Sequence, residues 1–223
     1  MRAGYSATGN LFGHAPEGTG DKQPIGESAV ILRGYAAKEA SALWSDINQV
    51  AAVAPFRHMV TPGGFRMSVA MTNCGQAGWV SDRSGYRYSP VDPETGKPWP
   101  AIPETLLMVA TGAAAAAGFP GFVPDACLIN RYEPGSRLTL HQDKNERDFA
   151  QPIVSVSLGL PAVFLFGGNT RKERPRRMRL ESGDVAVWGG PSRLAYHGIA
   201  PLAAGEDSVT GACRINLTFR RAL

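Results

Sequence analysis

In the stretch HQDKNE, a single residue separates His141 from Asp143. Side chains alternate along an extended segment, so the imidazole and the carboxylate would project to the same side. A second histidine, His197 in AYHGIAP, lies 54 positions beyond Asp143. Two histidines and one carboxylate make a facial ligand set that leaves three adjacent positions of an octahedral metal open. That set is associated with non-haem Fe(II) oxygenases, where a bidentate co-substrate and dioxygen need the vacancies. The spacing alone leaves a plainer alternative standing, a turn-capping aspartate and a packed histidine. The remaining histidines carry less: His14 lies in a Gly- and Pro-rich N-terminal stretch, and His58 reads as a surface or packing residue near Pro55.

The last strand-like segment, CRINLTFRR, adds an anion site. Arg214, Asn216, Thr218 and Arg220 fall on one face and Ile215, Leu217 and Phe219 on the other. The apolar set suits a core, while two arginines and an asparagine suit a dicarboxylate held by charge-assisted, bidentate bonds. An edge strand with solvated arginines is the competing explanation. In CLINRY, Leu128, Asn130 and Tyr132 also share a face, so an amide and a phenol could complete the polar end of the same cavity.

These groups need a scaffold to bring them together. The chain has 223 residues, enough for one domain with a sizeable core and short for two. Its 26 glycines and 17 prolines favour many turns and short strands. Residues 1–26 lack apolar periodicity and read as a flexible tail, leaving residues 27–223 as the domain. AVILRGYA reads as a strand, and Leu43, Ile47 and Val50 are spaced as one face of a helix that Pro55 ends. PETLLMVATGAAAAAG reads as a second helix between Pro103 and Gly118. Residues 55–100 form a long excursion with a turn at Pro62, Gly63 and Gly64, and its aromatics Trp79, Tyr86 and Tyr88 argue for a functional loop. After Pro124 short strands follow one another between Gly and Pro turns. The expected architecture is therefore mainly β, a sandwich or jelly roll with helices on one outer face.

Charge points to a partner. The net charge is +4, yet RKERPRRMR, Arg171 to Arg179, alone carries six cations and one glutamate. Such a run suits a polyanion such as nucleic acid, and equally a solvated basic loop. Three widely spaced cysteines, Cys74, Cys127 and Cys213, form no CxxC pair and are expected reduced and in part buried. No stretch approaches a membrane span and no signal core follows the first basic residue, so a cytoplasmic location is expected.

The motifs PFRHMVTPGGFRMSVAMTNCG, GYRYSP, KPWP, DACLINRYEPGSRLTLHQDKNE, PIVSVSLGLPAVFLFGG, GDVAVWGG, YHGI and CRINLTFR occur in this order. Together they resemble the AlkB family of Fe(II)- and 2-oxoglutarate-dependent dioxygenases, which dealkylate DNA and RNA, over residues 27 to about 221. The resemblance implies a double-stranded β-helix, the jelly roll, buttressed by helices, with residues 55–100 as a mobile nucleotide-recognition lid. It implies Fe(II) at His141, Asp143 and His197. The 2-oxoglutarate site would be lined by Asn130, Tyr132, Arg214, Asn216 and Arg220, with Arg214 on the distal carboxylate and Arg220 toward the iron. It also implies oxidation of the N-alkyl group of a damaged base with 2-oxoglutarate and O2, releasing formaldehyde, so the protein would be an oxidative demethylase in DNA repair.

A base must leave its stack to be reached, and aromatic or apolar surfaces typically hold a flipped base. The resemblance assigns this to Trp79 and Tyr86, with Thr61, Met67 and Tyr88 nearby, although Tyr88 could simply anchor the loop. Arg137, Gln142 and Arg171 are then candidates for nucleotide or phosphate contacts, and Trp188 for core or cavity wall. The best-known bacterial member carries a second acid two positions after the metal carboxylate, where this chain has Asn145. Losing that charge should weaken the preference for cationic lesions such as 1-methyladenine and 3-methylcytosine. Expected partners are alkylated DNA, single-stranded for preference, and RNA, met by a monomer. Two other functions fit parts of the pattern: a hydroxylase of another substrate class, which needs neither the basic run nor the aromatic lid, and a non-catalytic jelly-roll binding module.

Overall fold

The computed structural model describes residues 21–223. It opens with an antiparallel hairpin, β1 (Lys22–Gly26) and β2 (Ala29–Leu32). This corrects the expected tail, since residues 22–26 are sheet; residues 1–20, His14 among them, lie outside the described residues. KQPIG resembles a tail because Pro24 and Gly26 interrupt its apolar pattern. A proline is tolerated because β1 is the edge strand of its sheet.

Helix α1 (Ala40–Val53) buries Ala40, Leu43, Ile47 and Val50, the stripe that its spacing predicts, and stops before Pro55. Strand β3 (Ala70–Gly75) and the hairpin β4 (Gly78–Asp82) and β5 (Gly85–Ser89) follow. Helix α2 (Glu104–Ala116) starts after Pro103, and Gly118 takes φ +96° just beyond its end, a conformation that favours glycine. The remaining strands are β6 (Ala126–Tyr132), β7 (Leu138–His141), β8 (Ile153–Gly159), β9 (Ala162–Phe166), β10 (Arg176–Leu180), β11 (Val185–Trp188), β12 (His197–Ile199) and β13 (Arg214–Arg220).

One sheet has the order β1-β2-β11-β8-β13-β6-β3 and a second the order β10-β9-β12-β7. Alternation divides the large sheet's side chains between two cores. On the helix side, Ile129, Val156, Leu217 and Phe219 pack with Leu43, Ile47 and Leu106. Between the sheets, Leu128, Ile153 and Trp188 pack with Phe164, Phe166 and Ile199. This is the expected double-stranded β-helix with helices on one side. One boundary differs: β3, inside the expected lid, is a strand of the large sheet paired to β6. The turn around residues 61–66 and the β4–β5 hairpin stand outside the two main sheets. The basic run forms the β9–β10 turn and β10 itself, an edge strand. All three cysteines are free and buried, and no described helix is long and apolar enough to cross a membrane.

Candidate functional site

His141 ends β7 and lies opposite His197, which begins β12. Asp143 follows two residues past the end of β7, so strand pairing and a short continuation gather all three. Their ligand atoms lie within 4.8 Å of one another. His141 Nδ1 contacts Thr139 O at 2.9 Å and His197 Nδ1 contacts Ala195 O at 3.0 Å. A carbonyl can only accept, so each Nδ1 carries the proton and each Nε2 presents its lone pair. Both Nε2 atoms stand 3.7 Å from the Asp143 carboxylate.

Burial, reinforced by the neighbouring His141, lowers the His197 pKa to about 4, so the imidazole is neutral and ready to ligate near pH 7. Burial would raise the Asp143 carboxyl, but the Arg220 guanidinium, foremost among the neighbouring charges, outweighs it and holds the group well below the usual carboxylate range. Two imidazoles and one carboxylate fit Fe(II), which takes nitrogen and oxygen donors in this arrangement.

The co-substrate end is built by register. Arg214 of β13 pairs with Tyr132 of β6, and Asn216 with Asn130. Arg214 is 1% exposed, stacks its guanidinium 4.9 Å from the Tyr132 ring, and donates from Nη2 to Ser157 Oγ at 3.0 Å. Its Nε and Nη1 have no acceptor. Buried donors without acceptors are costly, so a cationic fork left open toward a cavity fits a carboxylate ligand. Asn130 Oδ1 is likewise unpartnered, while its amide donates to Asn216 Oδ1 at 3.3 Å. Asn216 is already engaged, donating to Ser155 Oγ at 2.8 Å and Val156 O at 3.1 Å. It braces the pocket wall. Arg220 donates from Nε and Nη2 to Asp143 Oδ2, at 3.0 and 2.6 Å, at the metal end of the row.

A cavity of about 840 Å³ is lined by this row, by the triad, and by Thr61, Met67, Trp79, Tyr86, Arg137, Gln142, Asn145 and Arg171. Trp79 and Tyr86 stack with centroids 5.5 Å apart and planes 14° from parallel. Trp79 Nε1 donates to Asn145 Oδ1 at 3.1 Å, and Gln142 Nε2 to Leu194 O at 2.6 Å. Trp188 is buried and lines the wall. Tyr88 departs from expectation: it does not line the cavity, and its hydroxyl donates to Glu146 Oε1 at 2.6 Å. Its position on the hairpin's inner side makes it an anchor.

Several site residues escaped sequence reasoning. Ser155 and Ser157 alternate with valines in β8, a readable signal that two hydroxyls share the face of the arginine row. Phe65, Arg66, Lys144 and Tyr196 also line the cavity. Glu146 and Arg193 meet in a buried ion pair, and nothing in their spacing announces a contact 47 positions apart.

Comparison with known proteins agrees with this geometry. The sequence pattern of the 2OG-Fe(II) oxygenase superfamily matches residues 28–220. The alpha-ketoglutarate-dependent dioxygenase AlkB of Escherichia coli K12 is 60% identical over 201 residues, 90% of this chain and 93% of that protein. The AlkB homolog of Caulobacter vibrioides is 50% identical over 170 residues, 76% of each. The solved structure of OsALKBH1 superposes with a TM-score of 0.80 at 27% identity, covering 90% of this chain and 100% of that one. A facial triad, an open arginine fork in a jelly roll and this degree of identity place the chain in the 2OG-Fe(II) oxygenase superfamily, among the AlkB dioxygenases, with Fe(II), 2-oxoglutarate and O2 as its working set.

Proposed function

We propose that the protein removes alkyl groups from N-alkylated bases, 1-methyladenine and 3-methylcytosine among them, in DNA and also in RNA. It would act as a cytoplasmic monomer with a preference for single strands. The observation that supports this most is that one cavity joins the triad to the Trp79–Tyr86 stack, with Arg171 on its lining. A hydroxylase of small molecules would leave that stack and the basic run beside it without a task.

His141, Asp143 and His197 would hold Fe(II). Arg214 would pair with the distal carboxylate of 2-oxoglutarate, with Tyr132 and Asn130 completing the pocket. When bound, the metal with 2-oxoglutarate and O2 supplies the oxidation, ending as succinate, carbon dioxide and a hydroxylated alkyl carbon, which then leaves the nitrogen as formaldehyde. The protein's share is placement: Trp79 and His141 would sandwich the flipped base, and Thr61, Met67 and Tyr86 would close the walls. Arg137, Gln142 and Arg171 would meet the nucleotide and its phosphates. The β4–β5 hairpin and the turn before β3 would serve as the lid. Formaldehyde release from methylated single-stranded DNA, with Fe(II) and 2-oxoglutarate, tests the reading. The natural chain should release it and His141→Ala should fall to background. Succinate formation without formaldehyde on any methylated nucleic acid would sink it.

A further inference from the structure

We propose that Glu146 is the positioning residue of the metal carboxylate, gathering two arginines that hold Asp143 at both ends and tying the lid hairpin to the same point. The Glu146 side chain is 2% exposed. Its Oε2 accepts from Arg193 Nη2 at 3.1 Å, and its Oε1 lies 3.4 Å from Arg220 Nε. Each arginine reaches on to Asp143. Arg220 grips carboxylate Oδ2 by two bonds, and Arg193 Nη1 donates to the Asp143 backbone carbonyl at 2.8 Å. Arg193 is itself fixed by a bond from Nε to Gln151 O at 2.9 Å, and its guanidinium lies 5.3 Å from the Phe149 ring. Asp143 sits just past the end of β7, where no ladder bonds define its backbone. These contacts supply the definition that the strand does not.

Charge balance explains why an acid is needed. Arg193 and Arg220 are both buried, and Asp143 alone cannot neutralise two guanidinium groups. Without Glu146, Arg220 would place its whole charge on the carboxylate that the metal must share, and Arg193 would lose its one carboxylate partner among the described residues. Glu146 draws part of Arg220 toward itself and keeps Asp143 available as a ligand. Tyr88 of β5 donates to the same Oε1 from the hairpin that carries Trp79's partner strand, so Glu146 also fixes where the lid meets the centre.

The proposal rests on the triad being the metal site, and Mn(II) titration of the metal-free natural chain tests that first. If the natural chain binds no Mn(II), the metal reading fails. Groups outside the ligand set typically change metal affinity about 10- to 100-fold, so Glu146→Gln should raise the Mn(II) dissociation constant by roughly that factor. Asp92→Asn, which breaks a buried ion pair with Arg57 away from the triad, is the control for lost stability. It should lower the thermal midpoint without moving Mn(II) affinity. An unchanged constant in Glu146→Gln, or equal loss in both variants, overturns the proposal. If Glu146→Gln does not fold, Arg193→Lys decides the matter, because an ammonium cannot span Glu146, Gln151 and Asp143 together. It should weaken Mn(II) severalfold, and unchanged affinity would overturn the proposal. Tyr88→Phe should leave Mn(II) affinity within about twofold while raising amide exchange in β5, and protection as in the natural chain would refute the lid tie.

Discussion

Asn145 shows how much one atom can matter at the residue scale. Its Oδ1 accepts from Trp79 Nε1, which orients the amide and leaves Nδ2 as the group still able to donate. A donor at that point favours acceptor atoms of neutral or ring-opened bases over a cationic ring. Restoring a carboxylate in Asn145→Asp adds an attraction of about 1 kcal/mol at contact distance in a wet cavity, roughly fivefold in selectivity. Turnover of 1-methyladenine relative to a neutral etheno adduct should rise by about that factor, and an unchanged ratio would refute the idea. Arg214 carries a second test. Its Nε and Nη1 are buried without acceptors, so the guanidinium has donors left for a carboxylate ligand. Arg214→Lys keeps the charge and loses the fork, and a charge-assisted bond is worth about 1.5–3 kcal/mol, so the KM for 2-oxoglutarate should rise on the order of 10- to 100-fold. An equal fall in kcat with KM unmoved would place the residue elsewhere.

Elements explain which parts of this site the sequence discloses. Alternation along β13 is a local property, so the split between the arginine row and the Ile215, Leu217 and Phe219 face is legible from seven residues. The His141, Asp143 and His197 grouping is legible as chemistry, though only pairing of β7 with β12 makes it geometry. Edge strand β1 is hidden by its proline, and Tyr88 reads as a base contact because its neighbour two residues earlier lines the cavity. The Glu146 cluster is invisible because its partners come from β5, from the turn before β12 and from β13. The hairpin region is secured by another nonlocal pair, Arg57 Nη1 with Asp92 Oδ1 at 2.5 Å. Burial would raise the Asp92 carboxyl, but Arg57 and the Glu94 amide outweigh it and lower the pKa. A carboxyl depressed on folding contributes stability that is complete above its unfolded value, near the ordinary 3.8, and lost as pH falls through its folded value. Natural protein and Asp92→Asn should therefore differ in thermal midpoint at neutral pH and converge as the pH drops below that range. A gap that persists in acid would assign the effect to packing.

For the whole molecule, the charge distribution matters more than its total. The segment Arg171–Arg179 has a net excess of five against four for the entire chain, so the rest is close to neutral. The fold places that excess on the turn and edge strand beside the cavity, with Arg171 reaching its lining and Lys172, Arg174 and Arg177 exposed. Such a stripe on an otherwise neutral body attracts a phosphate backbone toward one side of the entrance, and binding there releases counterions. Each phosphate contact contributes about −0.7 to the slope of log affinity against log salt for single strands. Replacing Lys172, Arg174 and Arg177 together by alanine should make that slope shallower by about 2 for an unmodified oligonucleotide. Arg131→Ala, which removes an exposed cation from the opposite sheet, should leave it unchanged. Turnover of a methylated nucleoside, which has no phosphate, separates this long-range term from the chemistry at the triad. Equal slopes in the triple variant and the natural chain would show that the basic edge strand is solvated and that nucleic acid approaches from elsewhere.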